Sequence, residues 1–478
     1  MKQGTHMVYG QLQIGWARGD ITPPCKTFVQ GQFHTRIADE VLSPLTATTL
    51  ALEVAGEDGT VEQAVLLSCD LCQDGFKADL LRVLDGRCPD LDLRKLTVNC
   101  THTHTAPAMQ RGIYDEPEDD ADFMNPDEYR EWLAVQLADI VEAAWRDRQP
   151  GSVSRGFGYA AVARCRRAVY ADGTARMYGQ TNLEDFHGFE SCDDHAVNML
   201  FTRNAEGGLT GILVNLACPS QCREALAAFS ADFWHEVREA VAAQYGAGVH
   251  LFPQCAPAGD LSPHLLADQK EEMDLRARLG VDDCGIISRR IMAAVEEGLA
   301  TASGPEDTVV LAHEVRRLHL PRIMVTEEQY ELEKRIADMS DEEREQQDYA
   351  FQRIWPFGLV CKLIERYEQQ ADHPDHEVEN HVIRLGDAVF ATNPFEMYVD
   401  YGTRIRCRSR ALQTFLVQLA DGSDLGCYLP TQRALEGGHY SAMIKSNWVG
   451  PEGGKMLVDE TVNTIDVLFE DEDYPRTR

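Results

Sequence analysis

The sequence predicts an α/β protein in which mixed β-sheets are layered with flanking helices, with a helical hairpin inserted into the domain. Three observations predict it. Strand-like and helix-like periodicities alternate through the first 150 residues or so; short β runs punctuated by turn residues follow; and a highly charged helical stretch interrupts the pattern late in the chain.

From Tyr9 to about Arg148 the segments are easily separated. "VEQAVLLSCDL" reads as a buried strand, "FKADLLRVLDGR" as a helix, "KLTVNC" as a second strand, and "PDEYREWLAVQLADIVEAAW" as a helix of period near 3.6. Between Ser152 and Leu216 several short strands are broken by "ADGT" and "NAEGG". "SADFWHEVREAVAAQYG" is then a helix that starts near Ser230 or Asp232 and stops at Gly246. "VHLFPQCAPAGDLSPH" is a strand that runs into a loop containing Gly and Pro.

Residues 326–370 have another texture: charged, helical, and interrupted at Pro356-Phe357-Gly358. The expectation is a solvated helical hairpin, with a substrate lid or a homo-oligomer contact as alternatives, and with Trp355 and Phe357 at its break. Strands, turns and a helix resume from "HVIRLGDAVFATNPFEMYVDYG" onward. The expected organisation is one catalytic domain over residues 9–470 carrying an insertion at 326–370.

Bulk properties narrow the function. The 478 residues are 44% hydrophobic and 26% charged, enough for a substantial core. A formal net charge of −33 repels phosphate backbones and anionic surfaces, so nucleic acid and stable membrane association are not expected. No apolar run approaches the ~18 residues of a transmembrane helix, and the N-terminus lacks an export pattern, so the expected location is cytoplasmic and the thiols are expected to be reduced. Cys69 and Cys72 form a C-x-x-C, but no second pair follows at zinc-ribbon spacing, which favours a structural role.

Chemistry enters with "NCTHTHTAPA". Side chains two apart on an extended chain leave the same face, so His102 and His104 are expected to point together just past a strand end. Two imidazoles on one face are a common start for a zinc site, although a polar strand end without metal produces the same pattern.

"GWARGDITPP", "THTHTAP", "CAPAGDLSP" and "NPFEMYVDYG" followed by "GCYLPT", in this order, resemble the neutral and alkaline non-lysosomal ceramidase N-terminal domain family, whose members are zinc amidases. The likeness runs from about residue 11 to 450. It implies a ceramidase-like catalytic domain with a bound Zn2+. By position it makes His102 the first zinc histidine and His104 a neighbour that helps in proton transfer. Glu396 takes the place of the zinc carboxylate and Tyr428 that of a phenolic ligand. Ser262 and Asp260 fall at the metal centre, and Arg166 near the reacting carbonyl, with Arg164 and Arg167 close enough to compete for that assignment.

One position departs from the family pattern. Where the second zinc histidine should stand, "ILVNLACPSQCREAL" has Cys218. A thiolate ligand is one reading; a small buried residue beside an altered site is the other. Thiolate donates more charge than imidazole and would weaken the ion as a Lewis acid, which puts ceramide itself in question as a substrate. Asp232 resembles an acidic position of the family and is explained about as well by helix capping; His264 is expected in an exposed loop, with substrate contact as the alternative; His195 is expected to be structural and His235 on a helix surface or packed; and "GGHY" at 437–440 is explained equally by a turn or by a close approach to a ligand.

The expected activity is zinc-dependent hydrolysis of an amide in a small, soluble substrate rather than membrane ceramide. With the sequence ending at Arg478, the immunoglobulin-like C-terminal domain of the family's ceramidases is not expected here. Two alternatives remain: a zinc-dependent carbohydrate enzyme, lyase or glycosidase, recognisable by a pocket of Arg, Trp and His; and a non-catalytic relative that kept the fold.

Overall fold

The computed structural model describes residues 7–470 apart from 115, 118–119, 341, 344–345, 347–362 and 423–427. Its centre is a twelve-stranded mixed sheet with helices packed on it. This is the predicted α/β layering.

The first strand, Met7–Asp20, is the junction of that sheet. Its opening residues, Met7 to Gln11, pair antiparallel with Thr308–Pro321, and from Leu12 to Asp20 it pairs with Thr46–Ala55. Gln13 and Ile14 also face the start of Gln149–Tyr159. Three branches leave this strand, and each ends in a parallel pair: Val61–Cys69 with Leu96–Cys100, Leu209–Leu216 with His250–Cys255, and Ala388–Thr392 with Gln413–Val417. Strands buried on both faces read as continuous apolar runs, which is why stretches such as "ILVNL" rather than alternating ones mark them.

The helix Pro126–Arg146 follows its capping signals closely. Asn125 accepts from the N–H groups of Asp127 and Glu128, Glu128 returns the bond, and Pro126 begins the first turn. Its apolar stripe of Tyr129, Leu133, Leu137, Val141 and Trp145 closes one core layer over the first strand. The helix Asp283–Ala300 covers the opposite branch, packed on Gln149–Tyr159 and on the helix Phe233–Tyr245, whose cap is Asp232 and whose end is Gly246, as the sequence predicts.

The insertion contains helices Glu327–Ala337 and Leu363–Gln369, which pack together through a stacked Tyr330–Tyr367 pair with ring centroids 4.3 Å apart. Trp355 and Phe357 lie outside the described residues. A capping box of Thr326 and Gln329 starts the first of these helices.

A buried ionic cluster ties the helix Lys77–Leu84 to the sheet. Lys77 Nζ lies 2.6 Å from both Glu379 Oε1 and Asp421 Oδ1, with His381 alongside at 3.4 Å. Asp421 also accepts from Val98 N and the Thr97 hydroxyl, fixing the strand that leads to His102. Glu379 and Asp421 with His381 have the donor atoms of a metal site, but the Lys77 ammonium already supplies the cation.

Candidate active site

Each of the three parallel pairs delivers a loop from its carboxyl ends to one place, the usual location of a ligand site in a sheet with parallel strands. Cys100 leads to His102 and His104, Leu216 leads to Gln221 and Glu224, Cys255 leads to Gly259 and Ser262, and Thr392 leads to Glu396. Gln418 binds two of these loops together: its Oε1 accepts from Ala258 N and Met397 N, each at 3.0 Å.

His102 and His104 do meet, but not by strand alternation. The strand ends at Cys100, and His102 has φ 61°, the left-handed region that a residue with a Cβ rarely takes. This turn sets the two rings edge to face with centroids 4.8 Å apart and their Nε2 atoms at 3.4 Å. Gly31 fits against the second ring. A Cβ at that position would fall 2.4 Å from His104 Cγ, and its φ of +107° suits glycine in any case.

The hydrogen bonds select tautomers. His102 Nδ1 is 2.7 Å from the Cys72 carbonyl, which can only accept, so Nδ1 carries a proton and Nε2 faces the site. Gln221 Oε1 lies 3.5 Å from the Arg166 guanidinium, which can only donate, so the Gln221 amide N–H faces His104 Nε2 at 3.0 Å. His104 therefore presents a lone pair at Nε2, while its Nδ1 lies 3.1 Å from Glu224 Oε2.

Glu396 completes the centre. Its Oε2 is 3.4 Å from His102 Nε2 and 3.7 Å from Arg166 Nη2. It sits in a two-residue strand, Glu396–Met397, paired in parallel with Tyr428–Leu429; the helix that follows begins at Val399. Gly259 passes close behind, and a Cβ there would fall 2.3 Å from the Glu396 carbonyl oxygen.

Electrostatics favour positive charge between these groups. Burial pulls the His102 imidazole down, but the Glu396 carboxylate and Cys72 push it up by more. Burial likewise pushes Glu396 up, yet His102 and Arg166 hold it below the usual carboxylate range. Proton or metal ion, a cation is stabilised at this point. His104 is lowered, first by burial and then by His102 against the opposing Glu224. Burial, with Glu396 and Tyr440 beside it, pushes the Tyr428 phenol well up.

Of the three arginines in "ARCRRAVY", Arg166 alone reaches this centre. It donates to Tyr178 OH at 3.0 Å, to the Gly259 carbonyl at 2.9 Å and to Tyr428 OH at 3.5 Å. Arg167 is locked on Glu190 at 2.7 Å and Arg164 contacts His195 at 3.0 Å. Ser262 Oγ accepts from Tyr178 OH at 3.1 Å, which places it on the Arg166 side of the site. Asp260 turns away from it: Oδ1 caps the helix at Val399 N, and burial pushes its carboxyl up to about 6.

Cys218 does not join the group. Its thiol is fully buried in the apolar core, aimed at the Val162 and Pro219 carbonyls at 3.7 and 3.5 Å. The cysteine that lies against His102 is Cys72, with Sγ 3.9 Å from Nδ1. His264 is no free loop histidine either, since its Nε2 lies 3.1 Å from Glu224 Oε1.

No protein-family model matches the chain, and no curated protein does. Solved structures do. One, a ceramidase complexed with C2, is 15% identical with a TM-score of 0.66, the match covering 98% of this chain and 76% of the other. A second, neutral ceramidase from Pseudomonas aeruginosa, is 16% identical with the same TM-score and the same coverage. The fold is ceramidase-like.

Within this ceramidase-like fold the structure gathers His102, His104, Glu396, Arg166, Tyr428 and Ser262, and leaves Cys218 and the Asp260 carboxyl outside. It also brings in Gln221, Glu224, Tyr178 and Tyr440, which the sequence reading did not assign. Tyr440 OH lies 3.4 Å from Tyr428 OH, at the end of the "GGHY" turn. Among the described residues no helix is long and apolar enough to cross a membrane.

Proposed function

We propose that the chain is a zinc-dependent hydrolase that cleaves an amide bond in a small, polar, soluble substrate. The observation that carries this reading is the approach of His102 Nε2 and Glu396 Oε2 to 3.4 Å beside Arg166. Two ligands of a tetrahedral zinc ion, with bonds of ~2.0–2.1 Å, stand about 3.3–3.4 Å apart. The donor set fits the ion that the fold's ceramidase relatives suggest, and the Cys72 carbonyl on His102 Nδ1 supplies the usual orienting bond behind a ligand.

His102 and Glu396 would hold the ion, with Tyr428 next to Glu396 as a further oxygen donor. A bound zinc ion supplies Lewis-acid polarisation of a carbonyl and lowers the pKa of water. Arg166, fixed by the Gly259 carbonyl and Tyr178, offers its guanidinium to the oxygen on which negative charge develops, and the Tyr428 hydroxyl lies beside it. The row His104, Glu224 and His264, with contacts of 3.1 Å on both sides of Glu224, accepts a proton and returns it to the leaving nitrogen.

Arg166, Tyr178, His264 and Tyr440 around the centre support a polar acyl-amine, including N-acylated amino sugars, over a lipid. The test is metal analysis of the purified full-length chain, together with turnover of short-chain ceramide, N-acyl amino acids and N-acyl amino sugars. The expected result is about one zinc per chain and hydrolysis of a polar member of the set, lost in Glu396→Gln. A metal-free wild type with no turnover of any of them overturns the reading.

A further inference from the structure

Resting on that reading, we infer that His104 is itself a metal ligand, filling the position that the family pattern gives to a histidine at 218. Three observations support it.

The first is spacing. His104 Nε2 stands 3.4 Å from His102 Nε2, and His102 Nε2 stands 3.4 Å from Glu396 Oε2. Each separation matches the edge of a small-ion coordination tetrahedron, and His102 and His104 belong with Cys72 to a group whose donor atoms lie within 4.8 Å of one another. A cation near both imidazole nitrogens, proton or metal ion, satisfies the pair.

The second is presentation. The Gln221 amide donates to His104 Nε2, so the nitrogen nearest His102 Nε2 carries a lone pair and not a proton. Behind the ring, Glu224 Oε2 lies 3.1 Å from Nδ1, the side on which a carboxylate commonly supports a metal-bound imidazole. Gly31 holds the opposite face of the ring.

The third is compensation within one segment. Residues 218–226 lose a donor at Cys218, whose thiol is in the core, and supply Gln221 and Glu224, both of which act on His104. Cys72 is the competing donor: its sulfur lies 3.9 Å from His102 Nδ1, and the donor atoms of Cys72, His102 and His104 lie within 4.8 Å of one another. With His104 tied to the ion, proton handling in the row passes to Glu224 and His264.

The experiment uses the full-length chain loaded with zinc or with cobalt(II), and reads metal content and the cobalt absorption spectrum. Cys218→Ala should retain the wild-type stoichiometry, His104→Ala should lose it, and Glu224→Gln should weaken affinity by roughly 10–100-fold. The wild-type cobalt spectrum should lack a thiolate-to-cobalt charge-transfer band from Cys218, so that Cys218→Ala leaves the spectrum unchanged. That comparison does not use His104→Ala, so misfolding of His104→Ala does not leave the question open. A thiolate band that Cys218→Ala abolishes and Cys72→Ala leaves, or loss of metal in Cys218→Ala with retention in a folded His104→Ala, overturns the inference while leaving the zinc hydrolase reading intact. A wild type that binds no ion overturns both.

Discussion

Glu396 and Tyr428 are direct partners in a two-residue parallel ladder, 32 positions apart in sequence and side by side in space. Paired residues of a parallel ladder project to the same side, so carboxylate and phenol arrive together. Glu396→Gln should lower hydrolysis by roughly 100-fold or more and release metal. Tyr428→Phe should keep the metal and reduce turnover. Metal analysis beside steady-state kinetics separates the two, and a Tyr428→Phe protein without metal would make the phenol an essential ligand.

Arg166 and Arg167 are neighbours with opposite fates. On the proposed reading, replacing Arg166 by Ala should reduce kcat by roughly 100–1,000-fold with the metal retained, because its guanidinium lies 3.7 Å from Glu396 and 3.5 Å from the Tyr428 hydroxyl. Arg167→Ala should instead unfold more readily, because Glu190 is left buried and unpaired. Kinetics paired with urea titration would show the contrast; equal effects on both measurements would sink it.

Gly31→Ala tests the support of His104. The added methyl meets the imidazole and the left-handed backbone adds strain on the order of 1–3 kcal/mol. Turnover should fall by roughly 100-fold, since a displacement of about 1 Å in a catalytic group has that effect. Wild-type kinetics in the variant would mean that the ring position is not critical.

Lys77→Met should destabilise the protein by roughly 3–5 kcal/mol, because Glu379 and Asp421 lose their buried counter-charge. Glu379, pushed up by burial but drawn down to about 2 by His381 and Lys77, should titrate at higher pH in the variant. Denaturant midpoints measured at neutral pH check the first point.

His250 supplies a pH dependence. Burial, with Arg18 adding to it, lowers this imidazole to about 4, and it stacks on Trp16 at 5.4 Å with planes 6° apart. A depressed pKa stabilises the fold fully above the unfolded value near 6.5 and loses that contribution as pH falls toward 4. The loss amounts to roughly 3 kcal/mol over that window. His250→Phe keeps a ring against Trp16 and should flatten the stability profile between pH 6.5 and 4, measured by thermal unfolding.

Much of the fold was legible, and for a physical reason. Asn125 and Glu128, Asp232 and Gly246 are local signals, and local signals survive without tertiary information. The convergence of His102, Arg166, Glu396 and Tyr428 was legible because those residues stand in a recognisable order in the sequence. It was misread where direction matters more than identity. Cys218 occupies the expected place in sequence, but its short side chain points into the core. Gln221 and Glu224 gave no signal because their role arises only when the segment after Leu216 folds against the loop after Cys100. The histidine pair converges through a left-handed residue, a conformation that the H-x-H spacing does not encode.

The long first strand bears on how the chain is made. Met7 to Gln11 find their ladder partners only at Thr308 to Ala312, about 300 residues later. At ~5–20 residues per second, a ribosome takes roughly 15–60 s to deliver them. Throughout that interval one end of the strand is an open edge on a nascent polypeptide, a template for aggregation that a holdase chaperone would have to shield.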